Sequence, residues 1–222
     1  GPGATNLVTG IATAYMDSIP VVAFTGQVPT KLLGRDSFQE VDITGITMPI
    51  TKHNYIVKDV KTLANTVRNA FRIAREGRPG PVLVDVCKDV TVAETEYEYK
   101  PVEVPREIPV MSPPADIEEA ARMIDRAQKP VILAGGGVGQ AGACSELVEF
   151  AEKINAPVTT TLMGLGVIPG THRLFTGLCG MHGTMATNFA VTGCDLFIAV
   201  SARMSDRVIS DVSKFAPNAR VV

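Results

Sequence analysis

Val131-Ile132-Leu133-Ala134-Gly135-Gly136-Gly137-Val138-Gly139-Gln140-Ala141-Gly142 passes from an apolar run into glycines and then towards a helical pattern. Unbroken rather than alternating apolar residues over Val131 to Ala134 predict a strand covered on both faces, and Gly135 to Gly137 predict the turn that leaves it. Gly137-Val138-Gly139-Gln140-Ala141-Gly142 is a GxGxxG pattern between strand and helix. There, backbone N–H groups at a helix N-terminus can receive a pyrophosphate. The acidic ribose ligand expected about twenty residues further on is missing, because the next strand ends Thr159-Thr160-Thr161. A hydride-transferring NAD enzyme is therefore disfavoured. A dinucleotide held some other way and a purely structural glycine turn both stay open.

Strand and helix alternate outward from this stretch in both directions. Downstream, a helix burying Leu147, Phe150, Ala151 and Ile154 leads to a strand over 157–161. A glycine-rich loop, a helix over about 184–191 and a strand over 196–200 follow, and a further buried strand begins near Val222. Upstream lies a helix striped by Ile117, Ala120, Ala121 and Ile124. Before it, residues from about Lys88 to Pro114 have neither period and suit an interdomain linker. The first part of the chain predicts a helix from Leu7 to Asp17, a buried strand over 20–25, a short helical segment near 41–44 and an extended piece over 54–57. A helix striped by Leu63, Val67, Ala70, Phe71 and Ala74 and a strand over 81–86 complete it.

The expected fold class is α/β, with two parallel-sheet domains. The expected boundaries are 1–88, a linker over 89–113, and 114–222. In such sheets ligands bind beyond the carboxyl ends of the strands, which singles out the loops after Thr25, Val86, Ala134, Thr161 and Val200.

Composition removes other classes. The chain has 222 residues, 45% hydrophobic and 20% charged, enough for a core and incompatible with disorder. Its 21 basic and 23 acidic residues give a net charge of −2 without a basic patch, so neither nucleic acid nor a membrane surface is an expected partner. No apolar run reaches the roughly 18 residues of a membrane span and no signal-like segment is visible, so a cytoplasmic location is expected. Cys87, Cys144, Cys179 and Cys194 form no CxxC pair and have no zinc-ligand spacing, which predicts reduced thiols and no metal site. The chain opens at Gly1 without Met and stops at Val222, and reads as an interior piece of a longer polypeptide.

Single residues narrow the chemistry little. Arg203 and Arg207, with Asp206 between them, suit phosphate or carboxylate groups, or form a surface ion pair. His182 precedes a helix, and no Ser-His-Asp or Cys-His arrangement can be assembled by spacing. His53, His172 and Lys52 carry nothing more specific, and Asp36, Glu40 and Asp42 suit a solvated loop as well as acid–base work. No GxxxxGK[ST] loop is present. The residues alone reach a two-domain α/β protein with a nucleotide-like cofactor on its second domain, and no reaction.

Taken together, Gly1-Pro2-Gly3-Ala4-Thr5-Asn6, Thr25-Gly26-Gln27-Val28-Pro29, Asp36-Ser37-Phe38-Gln39-Glu40, Thr51-Lys52-His53-Asn54-Tyr55 and Gly77-Arg78-Pro79-Gly80-Pro81-Val82-Leu83-Val84-Asp85 resemble the catalytic subunits of the acetolactate synthase family. Thr161-Leu162-Met163-Gly164-Leu165-Gly166, Gly180-Met181-His182-Gly183-Thr184 and Ser201-Ala202-Arg203-Met204-Ser205-Asp206-Arg207-Val208 continue the resemblance in order. GPGATN and GRPGPV mark the wider thiamine-diphosphate superfamily, whereas the Asp-Ser-Phe-Gln-Glu and Lys-His-Asn-Tyr segments narrow it to the synthases. Glyoxylate carboligase, another FAD-containing relative, and a non-catalytic flavin-binding module are the alternatives.

The resemblance implies the later half of a pyrimidine-binding domain followed by a Rossmann-like central FAD-binding domain. It implies thiamine diphosphate, Mg²⁺ and FAD as cofactors, with the activating glutamate and the metal-diphosphate motif outside this chain, so that the chain alone is inactive. The implied reaction is a decarboxylating condensation of two 2-keto acids. Phe38, Gln39 and Lys88 would serve catalysis, and Pro29, Asp206 and Arg207 the substrate. Arg78, Gly136, Gly137, Thr161, Leu162, Met181, His182, Ser201 and Arg203 would touch the flavin. A homodimer or tetramer, with a possible regulatory subunit, is also implied. Two departures from the family pattern are Cys87, where Pro is usual before the lysine, and Met204-Ser205, where Phe-Asp is usual.

Overall fold

The computed structural model describes residues 1–100 and 111–222, so the stretch 101–110 of the expected linker lies outside the described residues. The chain divides into two compact units, Gly1–Pro109 and Val110–Val222.

In the first unit, helices α1 (Pro2–Thr5) and α2 (Val8–Asp17) precede strand β1 (Val22–Gln27). Then come α3 (Ile43–Thr47), β2 (His53–Val57), α4 (Val60–Arg75) and β3 (Val82–Cys87). The strands form a parallel sheet in the order β1-β3-β2. Central β3 carries apolar residues on both faces because both are covered. Val82 and Val84 pack under α4, while Leu83 packs with Ile11 and Ile43 from the α2–α3 side. Full burial of such a side chain stabilises by about 1.5–3 kcal/mol.

β1 corrects the expectation of a buried strand: it lies at the sheet edge, and Phe24 is 50% exposed. The stripe of α4 also differs at one position. Ala70 and Ala74 are buried and Leu63 and Val67 half-buried, but Phe71 points away and is exposed. Asp59 caps the helix by accepting from Lys61 N at 2.9 Å, and the Lys52 ammonium donates to the Ile73 and Glu76 carbonyls at its other end. Beyond β3, Val90 is buried against the same core, and the Arg68 guanidinium lies 5.7 Å above the Tyr97 ring. Among the described residues after Lys88, Val90 is buried and 91–100 are exposed.

The second unit begins with α5 (Pro114–Arg126), β4 (Pro130–Ala134), α6 (Gly136–Gln140), α7 (Cys144–Ile154) and β5 (Val158–Thr160). It continues with β6 (Phe175–Leu178), α8 (Met185–Gly193), β7 (Leu196–Val200), α9 (Asp206–Ile209) and β8 (Arg220–Val221). Its five strands are all parallel, in the order β6-β5-β4-β7-β8. The connections run outward from β4 in one direction and return to its other side at β7, so the sheet has a switch point between β4 and β7. Ile132, Val158 and Ile198 face α7, and Leu133 and Phe197 pack on the opposite side against Val191 and Phe215. Phe197 and Phe215 meet edge to face at 5.1 Å.

On α5 the packed side is Ala120, Met123 and Ile124, and the expected Ile117 and Ala121 are exposed. β8 is exposed at the sheet edge and not buried as its composition predicts. The GxGxxG stretch also folds differently from the expected single turn into one helix. Gly137 and Gly139 lie inside the one-turn α6, and Gly142, at φ +68°, interrupts the chain before α7.

Candidate functional site

The carboxyl ends of β1 and β3 bring Pro29 and Lys88 onto adjacent strand tips. Lys88 N donates to Gln27 O at 3.0 Å, and Asp89 Oδ1 accepts from Thr30 N at the same distance. Those backbone and side-chain donors hold the Asp89 carboxyl below its ordinary pKa, Thr30 N contributing most. Cys87 ends the β3 ladder opposite Gln27 without disturbing it, and burial pushes its thiol pKa up.

Phe38 and Gln39 lie on the excursion between β1 and α3. Phe38 is 88% exposed, and Gln39 is left-handed at φ +59°. Glu40 closes the turn beneath them. Its carboxylate accepts from Gly34 N and from Ser37 N, which lowers its pKa, Gly34 contributing most. Asp42 caps α3 by accepting from Gly45 N at 2.9 Å and Thr44 Oγ1 at 2.8 Å. Both carboxylates therefore have structural partners, while Asp36 is exposed and left-handed at φ +53°.

Arg78 is not brought to this edge. It precedes β3, at the amino end of the sheet, where it donates to Ser18 Oγ at 2.7 Å and Met16 O at 3.4 Å. His53 is exposed and contacts Tyr55 edge to face at 4.4 Å.

Sequence reasoning missed Gln27 and Asp85, which face one another beneath the excursion. Asp85 is fully buried: its Oδ1 accepts from Thr25 Oγ1 at 2.7 Å and its Oδ2 from Gln27 Nε2 at 3.0 Å. The available signal was a single charge inside an otherwise apolar strand.

In the second unit, four neighbouring strands present candidate residues at their carboxyl ends. Met181 and His182 follow β6, Thr161 and Leu162 follow β5, Gly136 and Gly137 follow β4, and Ser201, Arg203, Asp206 and Arg207 follow β7. The loops press on one another. A Cβ on Gly135 would fall 2.2 Å from Ser201 O, one on Gly164 2.3 Å from Ala134 O, and one on Gly180 2.1 Å from Arg207 O. The glycines thus admit neighbouring protein backbone, a requirement independent of any phosphate. Met181 N donates to Arg207 O at 3.0 Å, and the Arg207 guanidinium donates to Met181 Sδ at 3.1 Å. Asp206 lies 3.8 Å from Arg207 in an exposed ion pair, and Leu162, His182, Ser201 and Arg203 are exposed. Thr160 Oγ1, at the last residue of β5, is buried without a hydrogen-bond partner among the described residues. His172 instead contacts Glu152 at 3.2 Å, away from this edge.

Among the described residues, no group of three or more His, Cys, Asp or Glu could hold a metal ion, and no helix is long and apolar enough to cross a membrane. Burial raises the Cys179 and Cys194 thiols to about 11.

Two family models match the chain. "Thiamine pyrophosphate enzyme, N-terminal TPP binding domain" covers residues 1–46, and "Thiamine pyrophosphate enzyme, central domain" covers residues 117–222. A probable acetolactate synthase large subunit of Methanocaldococcus jannaschii is 53% identical over 100% of this chain, which spans 38% of that relative. The acetolactate synthase large subunit of Corynebacterium glutamicum is 51% identical over 100% of the chain and 36% of its own length. For the isozyme 2 large subunit of Escherichia coli the figures are 48%, 100% and 40%. The chain therefore spans well under half the length of these relatives.

Proposed function

Because the chain belongs to the thiamine pyrophosphate enzyme family, we propose that it forms part of an acetolactate synthase, condensing two 2-keto acids with loss of CO₂ in branched-chain amino-acid biosynthesis. The observation that carries this reading is the unbroken similarity, at 48–53% identity over 100% of the chain, to proteins bearing that name.

Thiamine diphosphate, when bound, supplies the electron sink for decarboxylation. Its fit to the first unit is supported by Phe38, an aromatic ring left 88% exposed on a loop whose base is tied down. In this reading Phe38 and Gln39 position and desolvate the reacting groups, and Pro29 and Lys88 line the approach at the tips of β1 and β3. In the second unit, Arg207 supplies a guanidinium suited to a substrate carboxylate, with Asp206 beside it. No described side chain is required as a nucleophile.

We assign FAD to the carboxyl edge of the second unit, a Rossmann-like sheet, at Gly136, Gly137, Thr161, Leu162, Met181, His182, Ser201 and Arg203. Support comes from the switch point between β4 and β7 and from the unsatisfied Thr160 Oγ1 at that edge. Arg78 lies in the first unit, where it donates to Ser18 Oγ and Met16 O, and takes no part in this assignment. Mg²⁺ belongs, in the same reading, to the metal-diphosphate motif outside this chain. A cytoplasmic homodimer or tetramer, with a regulatory subunit, belongs to the same reading.

The test uses the full-length protein. A yellow protein that forms acetolactate from pyruvate only with thiamine diphosphate is expected. A colourless protein indifferent to both compounds would overturn the assignment, and preference for glyoxylate would move it to a sibling carboligase.

A further inference from the structure

Residues Ala23, Thr25 and Gln27 on β1, and Leu83 and Asp85 on β3, share one face of the first sheet by strand alternation. Towards the amino end that face is apolar, with Ala23 and Leu83 packed on Ile11 and Ile43. Towards the carboxyl end it holds a buried carboxylate with neutral donors and no cation paired to it among the described residues. A buried carboxyl group is a costly way to join two strands whose ladder is already complete, so its use lies elsewhere.

The Gln27 side chain, 9% exposed, supplies that use. Its Nε2 donates both to Asp85 Oδ2 at 3.0 Å and to Val41 O at 2.8 Å, and its Oε1 accepts from Val28 N at 2.9 Å. Val28 and Val41 are the two ends of the excursion that carries Pro29, Phe38 and Gln39. One amide therefore clasps both ends of the loop. Val28 N can only donate and Val41 O only accept, which fixes which end of that amide carries the N–H groups and turns one of them to Asp85 Oδ2. We propose that Asp85 and Gln27 are positioning residues that hold the 28–41 loop in register over the strand tips, an inference that rests on the functional reading above.

The test compares full-length wild type with Gln27→Met and with the triple variant Thr25→Val/Gln27→Met/Asp85→Val, which removes the buried carboxyl group and its donors together. In both, amide hydrogen exchange within residues 29–40 is expected to rise at least about tenfold, with β3 protection retained. In the triple variant the melting temperature is expected to return towards wild type while kcat stays roughly tenfold or more below it. Recovery of kcat along with melting temperature would reduce the pair to a structural role, and unchanged exchange in 29–40 would remove the clasp. Exchange is read whether or not the protein turns over, so a wild type that makes no acetolactate defeats the functional reading while leaving the clasp to be judged separately.

Discussion

Gly1 lies against the main chain of Gln39: a Cβ built on Gly1 would fall 1.9 Å from the Gln39 carbonyl oxygen and 2.8 Å from its carbonyl carbon. The contacted atoms are backbone and cannot rotate aside as a side-chain tip can. Gly1→Ala in the full-length protein is therefore expected to displace the segment bearing Phe38 and Gln39, costing about 1–3 kcal/mol of stability. On the proposed function, acetolactate formation falls with it, whereas Gly3→Ala, whose Cβ meets nothing within 4 Å, serves as the control. Equal behaviour of the two variants would show that the contact imposes no constraint.

Phe38 is 88% exposed, so truncating it removes little packing. Phe38→Ala is expected to leave unfolding free energy within about 0.5 kcal/mol of wild type. If the ring faces the reacting groups, kcat/KM should fall roughly 10- to 100-fold. Steady-state kinetics and chemical denaturation on the same preparations separate the two effects.

The glycines of the second unit should not tolerate alanine equally. Gly135→Ala would set a methyl 2.2 Å from Ser201 O and 2.5 Å from Ala202 Cα, and a loss of about 1–3 kcal/mol or more is expected. Gly139→Ala meets only Val167 Cγ1, at 3.6 Å, inside α6, and should be neutral or stabilise by up to about 1 kcal/mol through helix propensity. Thermal denaturation of the two variants gives the comparison directly.

Glu40 is held below its ordinary 4.5 by the backbone N–H of Gly34 first and of Ser37 second. A depressed folded-state value means that its contribution is complete above pH 4.5 and disappears as pH falls through the lower folded value. Wild type should thus be more stable than Glu40→Gln at neutral pH, with the difference closing on acidification. Denaturation midpoints measured across that range would show it, and a gap independent of pH would contradict the assignment.

Burial and the thiol values of about 11 for Cys179 and Cys194 predict negligible thiolate near neutral pH. Cys87 is buried as well, and Cys144 is the more accessible thiol. Native-state alkylation should modify Cys144 first and leave the other three until unfolding, as peptide mass mapping would reveal.

The parallel sheets were legible because β4 is apolar without interruption, β3 is apolar but for Asp85, and each strand is opened or preceded by proline. β6 was not, since Phe175-Thr176-Gly177-Leu178 is short, includes a glycine at φ +106°, and pairs through an irregularity at Val158/Thr159. Edge strands were misread for one reason. Pro20 to Thr25 has the composition of a buried strand, but position in the sheet decides whether Phe24 is covered, and local sequence does not encode that position. Helix periodicity located α4 and α5 while misassigning Phe71 and Ile117, because a stripe wide enough to include them is wider than the surface the sheet offers. For the candidate site, the strand-tip loops followed from topology alone. The residues beneath them did not: Gln27 and Asp85 are separated by 58 positions and acquire meaning only when β1 lies beside β3.

Main chain resting on main chain at Gly135–Ser201, Gly164–Ala134 and Gly180–Arg207 divides the second unit into two kinds of ground. Below is a floor in which a side chain added at any of these glycines would meet neighbouring main chain. Above it stand exposed side chains such as Leu162, Met181, Arg203 and Met204, whose replacement leaves the main-chain contacts of the floor in place. Retuning for a different compound can proceed among these upper groups while the architecture underneath stays fixed.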